Sequence, residues 1–486
     1  MRRIISKLMV TLLTISAFQI YGHVAIARTT YYVSSAGNDA NNGTSTATPW
    51  KTPMRISLTS YSAGDSILLK RGDTFSGQIH TTLRGESGAP IVIGAYGTGA
   101  KPVIYGDLRG VTWIPVAGRP GIYKAYVGAN TMMPIASYQF RAGVWVPLTG
   151  RLYRGQWAAE FDTFYDNLTE GNIGMSHGLD TMFIHTIGSG AMPISRDSIR
   201  IYRRSNYIGA PSSYAIIRDL DVRNFFMAIE IFGNTYIPTG SNNVTVRNIS
   251  ATNCLDGMYM ERTTDCLMDS CTSETIGNTQ IYLRATTRCR VRYNSVKTTS
   301  SIVDGIPCTG DMCGIGVQGS YTASMNTSGY GYNTVEYNSM DNTGTIDFWY
   351  NIGDTIRYNT GINMIGGIYP HGTNLVIQGN SMTLKDGASA GGMSAENIGS
   401  GVITITGNSF LNARGYGVWL QNTGASIGGT LVFSNNTISG TTSQTNLLWP
   451  SGDGIISSAN RFIGPGYFKN GSAQNVLYRS LADFHA

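Results

Sequence analysis

Charged residues are scarce in this sequence, and they form no block of one sign. Only 13% of the 486 residues are charged, which argues against nucleic acid as a partner. The six cysteines contain no C-x-x-C pair, so no zinc site is expected. The regular leucines of a leucine-rich repeat are also missing. What is abundant is glycine, with 60 residues, and this composition favours turns and short uncharged strands over long solvated helices.

The N-terminus has the pattern of an export signal. Residues 1–27 begin with a basic segment, continue with an apolar run from Leu8 to Ile20 and end in Ala25-Ile26-Ala27, the pattern of a cleaved signal peptide. No later segment is apolar enough to span a membrane. Removing three basic residues lowers the formal charge from +6 to about +3. We therefore expect a secreted or periplasmic monomer without membrane contact after cleavage.

A loose repeat runs through the second half of the chain. Its units include VRYNSV from Val291, VEYNSM from Val335 and FSNNTI from Phe433. A period just above twenty residues, with short β-prone runs broken by Gly and Asn, predicts an all-β fold, a right-handed single-stranded parallel β-helix of about ten coils. We expect the shared asparagines to occupy left-handed bends and to hydrogen-bond along a column. These asparagines are Asn294, Asn338, Asn359, Asn380, Asn408, Asn436 and Asn460.

Breaks in this period predict the domain organisation. Residues 28–110 are assigned to an N-terminal cap and the first coils, with a short helix between Thr48 and Leu58. Residues 111–212 are assigned to a β-rich insert, residues 213–466 to the main β-helix, and residues 467–486 to a C-terminal tail or cap. In an oxidising compartment Cys308 and Cys313 are expected to close a local loop by a disulfide.

Two stretches carry a resemblance to known proteins. YYVSSAGNDANNGT from Tyr31, followed by GDSILLKRGDTF from Gly64, resembles the N-terminal opening of secreted β-helix carbohydrate-active enzymes, which include polysaccharide lyases and glycoside hydrolases. The segment from Asp180 to Tyr202 resembles the insert of such proteins. The resemblance implies a polysaccharide substrate but does not separate hydrolase from lyase or epimerase.

One strand in each coil repeats with alternating inward and outward residues. Examples are GMYME from Gly257, QIYLR from Gln280 and TIDFW from Thr345. Because side chains alternate in a strand, the third and fifth residues should form two outward columns with rungs about 4.8 Å apart. Aromatic rings there suit sugar faces, and polar groups suit hydroxyls. The predicted substrate-binding residues are Glu230, Tyr259, Tyr282, Gln318, Trp349, Tyr369, Trp419 and Gln421. A role in stiffening the sheet, or burial beneath the insert, is the alternative for the aromatic residues.

The candidate catalytic residues depend on the reaction. A glycoside hydrolase needs two carboxyl groups across the scissile bond, and Asp347 with Glu396, or Glu230 with Glu261, could supply them. The excess of acids over bases in the columns favours a neutral or weakly acidic glycan, and hence hydrolysis. No cofactor and no metal cluster are predicted, although calcium could bind in an acidic groove.

A lyase or epimerase would use other groups. Arg284 could neutralise a uronate carboxylate while His371 or Tyr369 exchanges the proton. GIYPHGTN from Gly367 faintly resembles the D-P-H-D site of mannuronan epimerases, with Tyr369 and Gly372 in place of the two aspartates. A third alternative is a non-catalytic glycan-binding or surface-structural β-helix.

Overall fold

The computed structural model describes 26 stretches of the chain. They are residues 28–106, 112–126, 136–141, 144–154, 170–175, 181–186, 199–202, 208–209, 212–225, 227–233, 240–254, 256–274, 276, 278–298, 302–303, 306–307, 313–319, 330–385, 391–396, 401–412, 416–421, 430–439, 444–448, 455–463, 467–470 and 477–478. The predicted signal peptide lies outside them. Among the described residues, no helix has the length and apolar character needed to cross a membrane.

Three long, almost entirely parallel sheets form the protein, and the chain visits them in turn. We call them sheets A, B and C in the order in which each coil passes through them. Sheet A has 15 strands, sheet B has 12 and sheet C has 13. This is the predicted parallel β-helix, with more rungs than the ten coils expected. The additional rungs of sheet B are Thr74–Ser76 and Val103–Tyr105, which lie before the first recognisable repeat.

Sheet A runs the length of the molecule. Its strands are Thr30–Val33, Ser66–Lys70, Leu83–Arg84, Ile91–Tyr96, Ser212–Arg218, Ser241–Arg247, Thr263–Thr264, Leu267–Asp269, Arg290–Arg292, Thr334–Glu336, Thr355–Arg357, Val376–Gln378, Val402–Thr406, Thr430–Ser434 and Ile455–Ser458.

Sheets B and C follow the same rungs. The strands of sheet B are Thr74–Ser76, Val103–Tyr105, Asp221–Arg223, Ser250–Thr252, Thr272–Glu274, Ser295–Lys297, Ser339–Asp341, Thr360–Met364, Ser381–Leu384, Ser409–Leu411, Thr437–Ser439 and Arg461–Ile463. The strands of sheet C are Ile79–His80, Ile208–Gly209, Met227–Phe232, Asp256–Glu261, Ile281–Arg284, Cys313–Gln318, Thr345–Ile352, Ile368–Thr373, Met393–Glu396, Tyr416–Gln421, Gln444–Leu448, Tyr467–Asn470 and Leu477–Tyr478.

The remaining strands lie outside the β-helix sheets. A seven-stranded, mostly antiparallel sheet has the order Ile199–Tyr202, Ala136–Arg141, Val144–Arg154, Asn172–Met175, Thr181–His185, Ile122–Tyr126, Ile114–Pro115. Ile302–Val303 and Ile306–Pro307 form a two-stranded ribbon. The predicted short helix is confirmed as Pro53–Ser57, which buries Pro53 and Ile56. The domain boundaries themselves stay predictions.

The asparagine column is a continuous hydrogen-bonded ladder. Asn338 Oδ1 accepts both the main-chain N–H of Asn294 at 3.0 Å and its Nδ2 at 2.9 Å, and the same pair of bonds recurs at each step to Asn460. Each Nδ2 also donates to a carbonyl, such as Asn359 to Val335 O at 2.9 Å. The ladder lies at the turn from sheet A to sheet B, where buried polar groups must find such partners.

The prediction that the ladder asparagines take left-handed backbone angles is wrong. The positive φ belongs to the preceding residue of each bend, for example Tyr293, Tyr337 and Gly379. A residue with left-handed geometry points away from the core, and the asparagine that follows it turns inward. In the earlier coils Cys271, Ile249 and Leu220 fill the same slot and are buried, so that part of the column is apolar.

A second, shorter ladder lies at the turn from sheet C to sheet A. The N–H of Cys289 donates to Asn333 Oδ1 at 3.0 Å, and the N–H of Asn333 donates to Asp354 Oδ1 at 2.7 Å. Burial raises the pKa of Asp354 to about 8, and its hydrogen bonds with Asn333 oppose the shift only in part. A carboxyl group therefore occupies a slot where an amide would satisfy the same donor without carrying a charge.

The cysteines whose side chains the structure describes form no disulfide. Cys254, Cys266, Cys271 and Cys289 are buried free thiols, and they belong to the core. The predicted pair of Cys308 and Cys313 has its side chains outside the described residues, so that disulfide stays a prediction.

Removing one ladder amide should destabilise the fold strongly. In Asn359→Ala, the N–H and Nδ2 of Asn338 lose their acceptor and the Val335 carbonyl loses its donor. We expect the free energy of unfolding to fall by about 3 kcal/mol, because buried groups stay unsatisfied. Urea titration measures this, with the exposed neighbour Thr360→Ala as control. Equal losses in the two variants would contradict the role of the ladder.

Asp354 should make stability fall as pH rises from about 4 to about 8. Its folded pKa of about 8 lies above the ordinary value of 3.8, so the folded protein holds a proton that the unfolded chain releases. This contribution is complete below pH ~4 and is lost as pH rises through about 8, on the order of 1 kcal/mol per pH unit. Asp354→Asn should flatten that dependence in urea titrations from pH 4 to 9. Asp265→Asn, at an exposed turn, should not flatten it. Parallel curves for Asp354→Asn and the parent would refute this assignment.

Candidate functional site

The strand pairings of sheet C place the predicted residues in two columns. The register is continuous from rung to rung up to Tyr369. The first column contains Glu230, Tyr259, Tyr282, Gly316, Asp347 and Tyr369. The second contains Phe232, Glu261, Arg284, Gln318 and Trp349, with His371 stacked on the last. The sequence-based register is therefore confirmed over this part of the sheet.

The later members of the columns are described only in their backbone. Ser394 pairs with Trp419 and Glu396 pairs with Gln421, as the repeat predicts. The side chains of Glu396, Trp419 and Gln421 lie outside the described residues. The catalytic pair of Asp347 and Glu396 therefore stays a prediction.

A cavity of about 470 Å³ opens on these columns. One of its rungs carries Gly316, which has no side chain, between Tyr282 on one side and Asp347 on the other. Those two residues are therefore two rungs, or roughly 9.6 Å, apart along the column. The gap in the column creates the depression. The cavity is lined by Met227, Asp256, Tyr259, Asn278, Thr279, Tyr282, Gly316, Gln318, Asp347 and Trp349.

The aromatic residues divide into packed and accessible rings. Tyr259 is only 8% exposed and lies against Tyr282 at a centroid distance of 5.2 Å, so it stiffens the sheet as much as it lines the cavity. Tyr282 donates its hydroxyl hydrogen to Gln318 Oε1. Trp349 is 40% exposed and stacks on the His371 ring at 4.4 Å and 6°. Trp349 is therefore the ring in this group best placed to meet a sugar.

Two glutamates beside the cavity differ in electrostatic environment. Burial raises the pKa of Glu230 to about 7, and the nearby charges of Glu261 and Asp256 raise it further. Glu261 instead lies between guanidinium groups, with Arg262 Nη1 at 3.3 Å and Arg284 Nη1 at 3.8 Å. Arg284 also donates to the Tyr259 hydroxyl at 3.1 Å. Near neutral pH Glu230 can therefore hold a proton.

Asp256 is a cavity residue that the sequence reasoning missed. Its carboxylate accepts from Asn278 Nδ2 at 2.8 Å and from the N–H of Thr279 at 3.2 Å. Burial raises its pKa, and these hydrogen bonds lower it in part. The sequence does place an acid directly before the GMYME segment, but the predicted outward positions of that strand begin only after Gly257.

The predicted lyase residues are too far apart to act on one sugar. Arg284, Gln318 and Trp349 are successive rungs of one column, and His371 follows on the next. Arg284 and His371 are therefore about 14 Å apart along the axis. The Arg284 charge already faces Glu261. A uronate carboxylate and its neighbouring C–H could not contact both side chains.

Metal-binding residues do not cluster in the part of the chain that the structure describes: no group of three or more His, Cys, Asp or Glu is suitably arranged. Calcium binding in the groove is left as the sequence-based possibility.

The unusual pKa of Glu230 can be measured directly. In ¹³C-glutamate-labelled protein, one side-chain carboxyl should titrate near pH 7. Glu261→Gln removes a repelling negative charge, so that pKa should fall, while burial should keep it above the ordinary value. Glu274→Gln, on sheet B, should leave it unchanged. An identical titration in Glu261→Gln would show that the two carboxyl groups do not interact.

Comparison with known proteins gives partial likenesses. No protein-family model matches the chain. A segment of 93 residues is 44% identical to lacto-N-biosidase from Bifidobacterium longum subsp. longum, and it covers 18% of this chain and only 6% of that enzyme.

Three solved structures are similar in shape at low sequence identity. XylC in complex with xylose has a TM-score of 0.47 and 11% identity, covering 89% of this chain and 86% of that one. The GH136 lacto-N-biosidase from Eubacterium ramulus has a TM-score of 0.42 and 15% identity, covering 90% and 68%. A mannuronic acid-specific family 6 polysaccharide lyase from human gut microbiota has a TM-score of 0.43 and 12% identity. The match covers 93% of this chain and 88% of that one. The chain is thus similar over a short segment to a glycosidase, and its solved neighbours include glycoside hydrolases and polysaccharide lyases.

Proposed function

We propose that the protein is an exported carbohydrate-active enzyme that hydrolyses a glycan bound in the groove of sheet C. The 93-residue likeness to a lacto-N-biosidase supports a glycosidase. The cavity supports it independently, because it combines an accessible indole, amides and carboxyl groups of the kinds that bind sugar faces and hydroxyls.

The observation that carries the proposal is the pair of Glu230 and Glu261. Glu230 faces Tyr259 across one rung, and Glu261 is two residues beyond Tyr259 on the same outward face. One rung and two residues along a strand separate their Cα atoms by roughly 8 Å. Two parallel side chains on such Cα positions would hold their carboxyl groups within the range of about 6.5–9.5 Å that inverting glycosidases use. Glu230 is largely buried near other carboxyl groups, whereas Glu261 contacts two arginines. These are the environments that suit a general acid and a general base.

The roles follow from charge. Glu230, protonated below pH ~7, would donate its proton to the glycosidic oxygen. Glu261, in contact with Arg262 and Arg284, would take a proton from the attacking water on the other face of the sugar. Arg284 would position this base through its contacts with Glu261 and Tyr259. The cavity around Gly316 would hold the neighbouring sugar unit against Trp349.

The substrate that fits this groove is neutral. Asp256, Glu261 and Asp347 all lie on or beside it, and the one arginine of the columns is already paired with an acid. A polyuronate would bring its carboxylates towards these acids, and the described residues of the groove offer no further cation to receive them. This favours hydrolysis over elimination.

Activity variants test the assignment. On a panel of neutral and acidic glycans, the protein should release reducing ends without an unsaturated product. Glu230→Gln and Glu261→Gln should each lower kcat by about 10²-fold or more. Gly316→Val should mainly raise KM by filling the cavity, and Glu274→Gln should leave both parameters unchanged. In the parent, kcat/KM should decline above pH ~7 as Glu230 loses its proton.

Other outcomes would reject the proposal in distinguishable ways. New ultraviolet absorbance from an unsaturated product would identify a lyase. Binding without cleavage, unaffected by Glu230→Gln but weakened by Gly316→Val, would identify a non-catalytic glycan-binding protein. Full activity in both glutamate variants would remove the pair and redirect attention to Asp347.

A further inference from the structure

A groove on sheet A has the opposite electrostatic character from the sheet C groove. Its volume is about 710 Å³. The floor is a row of apolar and small polar residues, Val92, Ile216, Thr245 and Leu267. The wall is the last outward column of the sheet, with Arg218, Arg247, Asp269 and Arg292 on successive rungs.

Along most of this column positive and negative residues alternate. Asp269 lies between Arg247 at 3.3 Å and Arg292 at 3.2 Å. Further along, Glu336 is fully buried and contacts Arg290 and Arg357. Each acid therefore bridges the arginines of neighbouring rungs, which removes the repulsion that like charges on adjacent strands would cause.

The alternation fails at one step, between Arg218 and Arg247. These two residues are directly opposite each other on adjacent rungs, and their side chains are 49% and 61% exposed. On the other side of Arg218 lies Gly94, which has no side chain to offer. Asp219, at the turn after Arg218, contacts Arg218 at 3.4 Å and Arg71 at 3.8 Å, so Arg71 adds a further positive charge beside the column. Including Arg71, four arginines face two aspartates, Asp219 and Asp269.

We propose that this groove is a second glycan-binding site, separate from the catalytic groove, and that it takes a carboxylate or sulfate group of an acidic polysaccharide between Arg218 and Arg247. Two guanidinium groups on adjacent rungs could each donate N–H hydrogen bonds to the oxygens of one anion. The bound anion replaces the acid that the column lacks at this step. The row at the floor supplies apolar surface to the sugar carbons. The choice of a glycan as ligand rests on the proposed function, whereas the anionic group rests on the arginines.

The site would let the enzyme hold an acidic polymer while it cleaves a neutral one. The two grooves lie on different sheets of the same β-helix, so their ligands do not compete for the same residues. Salt should weaken the interaction because the side chains are half exposed.

Affinity electrophoresis in gels containing polygalacturonate, dextran sulfate, neutral dextran or duplex DNA tests the site. We expect retardation by an acidic glycan, weaker at higher salt, and none by neutral dextran. The double variant Arg218→Gln/Arg247→Gln should weaken binding at least tenfold. The control Arg288→Gln/Arg461→Gln removes the same charge from exposed turn and sheet B positions and should change binding by less than twofold. Retardation by polygalacturonate alone identifies a carboxylate ligand, and retardation by dextran sulfate alone a sulfate ligand.

Three results would overturn the site: no retardation by either acidic glycan, equal loss in the control, or tightest binding to DNA. The proposed hydrolysis is tested separately from this binding site. Glu230→Gln should keep acidic-glycan binding while losing cleavage, and Arg218→Gln/Arg247→Gln should keep cleavage of a short neutral oligosaccharide. If no glycan is cleaved but the arginine-dependent binding persists, only the hydrolase proposal falls.

Discussion

The whole structure depends on parallel strands that stack in register, so that each residue meets its equivalent one rung away. In such a stack an inward polar group cannot reach water and must be satisfied by the same slot on the next rung. The ladder from Asn294 to Asn460 meets this requirement, because each amide accepts from the rung before and donates to a carbonyl. Where the slot is apolar, as at Ile249 and Leu220, no such partner is needed. The two solutions follow one another along one column, apolar as far as Cys271 and amide from Asn294 onward.

The same register creates the functional surfaces. Outward residues carry no packing constraint from the core, yet the rungs hold them in rows at a fixed spacing. Glu230, Tyr259 and Glu261 are close because of this spacing, since all three lie on paired strands of sheet C. The gap at Gly316 becomes a cavity only because Tyr282 and Asp347 occupy the rungs on either side of it. On sheet A the arginine row follows from the same geometry.

The sequence predicted the features that recur in every coil, and the prediction failed for features that do not recur. The columns from Tyr259 to Tyr369 could be read because a strand shows alternate residues on opposite faces. The left-handed residue of each bend was predicted one position too late. The repeat is recognised by its asparagine, whereas the positive φ belongs to the residue before it, often Tyr or Gly. Asp256 was missed because it is the first residue of its strand and lies before the repeated segment, although it lines the cavity. The proton-holding character of Glu230 depends on burial and on two neighbouring charges, which spacing alone does not reveal.

Charge on this β-helix is arranged by face, and low overall charge makes that arrangement effective. On sheet C the acids cluster beside one arginine that is held by Glu261 and Tyr259. On sheet A each acid is shared between two arginines, and Arg218 and Arg247 lie on adjacent rungs with no acid between them. With few other charges to screen them, each face keeps its own local potential. A neutral sugar chain can approach the acidic face without repulsion while an acidic chain is drawn to the basic one. Under the two proposals, the sheets would sort glycans by charge, although both present rows of side chains with the same spacing.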